Sequence, residues 1–199
     1  MTPEELAKRH PHLYHLTERE AVPKILEHGL WSTGALVRAC GLSATEEHAL
    51  LKARRRTARS LDHPILGNIV ISDNRPLSEG RLARLLNDGL TVSDWLGILN
   101  DHVFFWARAS FAENLREAQN NRNRGKTLLV FETLPLVRAH FSRASISPLN
   151  SGATRTETRR GLDTFSKVEN TDFTAWRRRR SPTVLDDIKE IVVERGVPD

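Results

Sequence analysis

Residues 13–30 read LYHLTEREAVPKILEHGL, and a change of period inside that stretch decides the fold class. Leu13 to Leu16 has the short apolar and aromatic character of a strand. Beyond it, Val22, Ile25, Leu26 and Leu30 fall at helical spacing, and Gly29 is suited to end that helix in the left-handed conformation. Thr17 and Glu20 resemble a capping box, but that start would put Pro23 inside the helix, where it removes an N–H and clashes with the preceding turn. A later start, with Pro23 in the first turn, avoids both. His15 and Thr17 are then left on the strand end and loop, with side chains open to a ligand.

Working outward, a second helix is expected after Ser32, ending near Gly41, and a third after Ser43, running into Arg54, Arg55 and Arg56. Residues 67–73 (GNIVISD) are strand-like. Residues 78–87 and 91–100 read as two helices, burying Leu82, Leu85 and Leu86 in one and Val92, Trp95, Leu96 and Leu99 in the other. The strongest strands are 102–107 (HVFFWA) and 127–132 (TLLVFE), dense in β-branched and aromatic residues. Residues 148–163 form a polar loop of a length that is usually functional or mobile. A last strand covers 188–194, followed by Gly196 and Pro198. Helices gather in the first half and strands in the second, so the expected class is α+β, in one domain over 1–199.

Thirty-nine per cent apolar and 28% charged residues are ordinary for a soluble globular protein. No apolar run is long enough to span a membrane, and the first residues lack the apolar stretch of a secretory signal. Cys40, the single cysteine, has no partner for an internal disulfide or a thiolate metal site, so a reducing, cytoplasmic setting is expected. The net charge of +5 comes with arginine clusters at 54–56 and 177–180. Such clusters hold phosphates, or form solvated faces, and charge alone does not choose between them. Phosphate-loop, dinucleotide-fingerprint and nucleophile-elbow motifs are absent. His10, His12 and His15 have no carboxylate at metal-site spacing, so no metal is expected.

What remains is an ordered set: His15-x-Thr17 on a strand, a helix ending in His28-Gly29-Leu30, an arginine among 54–56 after a helix, the aromatic strand 102–107, and a late strand with Glu190 before a Pro-containing turn (KEIVVERGVP). This set resembles the DarT-type ADP-ribosyltransferases. The loop SPLNSGAT followed by RRGLDTF also resembles an uncharacterised bacterial family close to these enzymes. The resemblance implies a split β-sandwich core, NAD as substrate and mono-ADP-ribosyl transfer to a macromolecule. It implies Glu190 as the catalytic acid, with Glu132 as the other candidate. Arg55 is the first choice to grip the diphosphate, with Arg54 and Arg56 close behind, and His15 and Thr17 would contact the ribose and adjoining phosphate or amide. Phe105, with Phe104 and Trp106, would supply a stacking surface, at least one of the three being buried.

Each residue also has a plainer reading: an edge-strand glutamate, a structural histidine, arginines at a helix C-terminus, core aromatics. Ile188 stands where many protein-modifying relatives carry Gln or Glu, which favours a nucleic-acid acceptor, DNA bases among them, with Arg177, Arg178 and Arg179 as backbone contacts. A toxin paired with an antitoxin is one biological setting. The alternatives are an RNA 2′-phosphotransferase and a non-catalytic module that binds nucleic acid or ADP-ribose.

Overall fold

The structure is a computed structural model that describes residues 1–118, 121, 125–180 (backbone only over 178–180) and 188–197. Helix α1 (Pro3–Arg9) starts under a reciprocal box: Thr2 accepts from the Glu5 N–H, and the Glu5 carboxylate accepts from the Thr2 N–H. Strand β1 (His12–Glu18) leads through one 3-10 turn into α2 (Val22–His28), with Pro23 in its first turn as the sequence demands. Gly29, at φ +75°, turns the chain into β2 (Leu30–Trp31). Ser32 caps α3 (Thr33–Ala39), and Ser43 with Glu46 boxes α4 (Ala44–Leu51). Helix α4 therefore stops before the arginine triplet instead of running into it.

A hairpin of β3 (Arg59–His63) and β4 (Gly67–Ile71) comes next, then α5 (Glu79–Leu85) and α6 (Val92–Asn100), the latter boxed by Thr91 and Asp94. The remaining elements are β5 (His102–Trp106), α7 (Ala109–Glu117), β6 (Lys126–Glu132), α8 (Thr133–Ala139), β7 (Ala144–Ser147), β8 (Ser166–Lys167), α9 (Phe173–Arg180), β9 (Glu190–Glu194) and β10 (Gly196–Val197). Helices α7, α8 and α9 lie in the second half of the chain, so the expected segregation of helices from strands does not hold; the class is mixed α and β. Local periodicity missed α8, which is short, and α9, which is half arginine.

The chain forms two compact units. One comprises residues 1–23, 104–149 and 165–193. Its sheet has the order β6-β1-β5-β9-β7-β8. Strand β1 runs antiparallel to both β5 and β6, pairing Tyr14 with Trp106 and Leu13 with Phe131, while β7 runs antiparallel to β8 and β9. Leu6, Leu13, Phe105, Leu136, Val137, Ile146, Ile191 and Val192 are buried in this unit. An exposed ion pair between Arg138 and Glu4, 2.6 Å long, joins α8 to α1.

The other unit comprises residues 24–103, 150–164 and 194–199. Val37, Leu50, Leu51, Ile69 and Ile71 form a core cluster packed by Leu36, Leu42 and Leu61. Residues 150–164 are anchored: Trp95 Nε1 donates to the Ser151 carbonyl (3.4 Å), and the Leu162 N–H donates to Asp88 Oδ2 (2.8 Å). Arg160 is 1% exposed, and its Nη1 donates to the Ala153 carbonyl at 3.0 Å. Its backbone joins the α5–α6 turn through Leu85 and Asn87. No helix among the described residues is long and apolar enough to cross a membrane.

Candidate functional site

Strands β1, β5 and β9, which carry His15, the aromatic residues and Glu190, are consecutive in the six-stranded sheet although their sequences lie far apart. At the usual strand spacing, β1 and β9 are about 10 Å apart, a span one nucleotide half can bridge. His15 is half-buried, and its Nδ1 meets the Phe104 carbonyl at 2.9 Å. A carbonyl only accepts, so Nδ1 carries the proton, and the neutral ring presents Nε2 as an acceptor. Burial pushes the His15 pKa down, partly opposed by the bond to Phe104. Thr17, half-buried, lies two residues further on the same face of β1, opposite Thr127.

Glu190 opens β9, is 3% exposed and pairs with Ser147. The residue before it is pinned from both sides: the Lys189 N–H donates to the Ser147 carbonyl (2.9 Å), and the Lys189 carbonyl accepts from the Ala107 N–H (3.0 Å). A carboxylate on such a doubly paired backbone has a fixed origin, which is what electrostatic stabilisation of a developing cation needs. Glu132 is exposed at the end of β6, where it is the N-cap position of α8.

Among the aromatic residues, Phe105 is fully buried, with its ring 5.8 Å from that of His15 and 5.3 Å from that of Phe131. Its faces are taken by the core, and its contact with His15 makes it a support for that ring. Phe104 and Trp106 are half-buried against Phe165 and Phe111.

The arginine triplet belongs to the other unit and divides by role. Arg55 donates through Nε to the Ser72 carbonyl (3.0 Å), through Nη2 to Asn100 Oδ1 (3.1 Å), and through Nη1 to the Leu50 carbonyl. Burial lowers its pKa to about 10, against the favourable charge of Asp73, so it stays cationic at neutral pH. Three of its five N–H donors are thus engaged in holding α4, the end of β4 and α6 together. Arg54 Nη2 donates to the Arg75 carbonyl (2.9 Å), and its Nε is buried with no partner among the described residues. Arg56 is exposed, and among the described residues its carbonyl accepts from Arg75 Nε while its guanidinium has no bonded partner. With Arg59 these residues line a cavity of about 450 Å³ in this unit. Of the other cluster, Arg177 is half-buried on α9, and the side chains of Arg178 and Arg179 lie outside the described ones.

Two histidines the sequence reading left without a role are structural. His10 is buried, its Nδ1 2.9 Å from the Ala107 carbonyl. His63 is buried at the β3–β4 turn, where Nδ1 accepts from the N–H groups of Ile65 (3.2 Å) and Leu66 (3.1 Å). The turn signal for His63 was its place three residues before Leu66-Gly67; nothing local marks His10.

A family model described as a family of unknown function (DUF7002) matches residues 11–199. No curated protein and no solved structure matches the chain.

Proposed function

The chain belongs to the DUF7002 family, and from that premise we propose that it is an NAD-dependent ADP-ribosyltransferase with a nucleic-acid acceptor, built on an ADP-ribosyltransferase-like core. The observation that carries this reading is the adjacency of β1, β5 and β9, which gathers His15-x-Thr17, the aromatic strand and Glu190 into the centre of one sheet.

In this reaction the bond between ribose C1′ and the nicotinamide nitrogen breaks, its electron pair passes into the pyridinium ring, and nicotinamide leaves neutral. An acceptor nitrogen or oxygen forms the new bond to C1′ and loses a proton. Glu190 would face the positive charge that develops on the ribose and take that proton. His15, held neutral with Nε2 as acceptor, suits a ribose hydroxyl donor. Thr17 adds a hydroxyl beside it. With Arg55 bonded inside its own unit, the reading does not rest on that guanidinium.

The test is nicotinamide release from NAD in the presence of DNA, RNA or protein, with mass spectrometry of each acceptor. Glu190→Gln should lower the rate by roughly 10²–10³-fold, the usual loss on removing a preorganised electrostatic group. If the native protein consumes no NAD with any acceptor, or if Glu190→Gln is as fast as native, the reading is wrong. The arginine-lined cavity favours one second reading, an RNA 2′-phosphotransferase, which the same assay separates by loss of phosphate from 2′-phosphorylated RNA.

A further inference from the structure

We infer that the cavity beside β3 binds the phosphodiester backbone of a nucleic-acid strand. This goes beyond the preceding reading and does not depend on it, and it is tested without NAD, so the two fail separately.

The cavity is about 450 Å³ and is lined by Arg54, Arg55, Arg56 and Arg59, with the hydroxyls of Thr57 and Ser60. Its one carboxylate, Glu46, is turned to its own helix: Oε2 accepts from the Ser43 hydroxyl (2.6 Å) and N–H (3.1 Å), which hold its pKa low. None of the four arginines has an ion pair with it. Arg55 is a fixed cation in the wall, locked by its three bonds. Arg56 and Arg59 are exposed, and no described side chain takes up either guanidinium. Arg54 contributes a donor, Nε, that has no partner among the described residues. Four guanidiniums around one small space repel one another, and an anion in that space removes the repulsion.

The cavity's open side selects the kind of anion: a strand brings one phosphate per nucleotide and can run on past the cavity, whereas a diphosphate would fill only its interior. The wall is open to solvent along the chain: residues 56–60 are all exposed, so a strand can lie along this edge with its phosphates against Arg56 and Arg59. Leu42, Leu50 and Leu61 supply an apolar side to the cavity, suited to sugar faces. The lining contains no aromatic ring to stack a base and no carboxylate or amide other than Glu46 to read one. Binding should therefore be backbone-led, tolerant of sequence and strongly salt-dependent.

The experiment is fluorescence anisotropy of a short labelled single-stranded oligonucleotide of mixed sequence, between about 50 and 200 mM salt. The R56Q/R59Q double variant should weaken binding at least about tenfold and lower the salt slope by about 1.4, two contacts at ~0.7 each. Because both side chains are exposed, its thermal unfolding should match the native protein's; Thr57→Glu, which only adds opposing charge at an exposed position, should weaken binding as well. Native affinity and slope in both variants would overturn the inference. So would loss of binding on Arg177→Gln alone, or displacement of the oligonucleotide by millimolar NAD at constant ionic strength, which would assign the cavity to a free dinucleotide diphosphate.

Discussion

Arg55 and Arg56 are neighbours in the chain with opposite duties. Arg55 satisfies two main-chain carbonyls and the Asn100 amide oxygen, and Asn100 in turn donates to the Leu51 (2.7 Å) and Leu96 (2.9 Å) carbonyls. Removing the guanidinium leaves those acceptors partly buried and unpaired, at about 1–3 kcal/mol for such a group. Arg55→Gln should therefore lower the unfolding free energy by roughly 2–3 kcal/mol in a urea titration. Arg56→Gln should stay within about 0.5 kcal/mol, as surface changes do. The triplet itself does not reveal this division, because the acceptors that select Arg55 come from residues 50, 72 and 100. His15 makes a second point at this scale. Its site on β1 was legible from the period change after Leu16, but its tautomer was not, since the Phe104 carbonyl that fixes it belongs to another strand. With its pKa lowered by burial, the acid limb of the pH–rate profile for nicotinamide release should fall below the ordinary histidine range. An acid limb at or above that range would argue against a neutral His15 in the reaction.

At the scale of elements, capping chemistry was the readable part. Ser32, Ser43 and Thr91 start helices where the sequence placed them, and the aromatic strand and the Glu190 strand are both present. Strand β3 was not readable, since RSLDH has no apolar alternation and pairs only because β4 lies beside it. Strand β7 (ASIS) was missed for the related reason that small residues carry little pattern, although all four are buried. The β3–β4 turn depends on His63 Nδ1 accepting two N–H groups, so an Asn there should serve better than an Ala, because its side-chain oxygen can accept from two residues on. His63→Asn should retain more stability than His63→Ala, with thermal unfolding as the measure. The β2–β10 pair depends on Gly196 at φ +115°: a Cβ there would stand 2.7 Å from the Leu30 carbonyl oxygen. Gly196→Ala should cost on the order of 2 kcal/mol or more, from backbone strain together with the close contact.

For the whole molecule, pH enters through histidines in both units. Burial lowers the pKa of His15, His63 and His140 from 6.5, so the unfolded chain takes up protons before the folded one does. Their contribution is complete above about pH 6.5 and is lost as pH falls through the lowered folded values. Glu4, Glu46 and Asp94 also have lowered pKa values, and theirs is lost only further down, below the carboxylate range. Urea midpoints should therefore be level from pH 8 to about 7 and decline between about pH 6 and 5; a midpoint that rises on acidification would contradict this. The two-unit partition was not legible at all, because each unit is assembled from three separate stretches of chain, and no local pattern reports such an assembly.

The position of β9 inside its sheet, between β5 and β7, has a consequence for synthesis. During translation every other strand of that sheet emerges before residues 190–193, so the nascent chain must keep a vacant slot until its central strand arrives. A polypeptide that stalls or is cut before residue 188 lacks Glu190 and leaves the facing edges of β5 and β7 unpaired at mid-sheet. The sheet, on this ordering, is complete only once translation has passed its central strand.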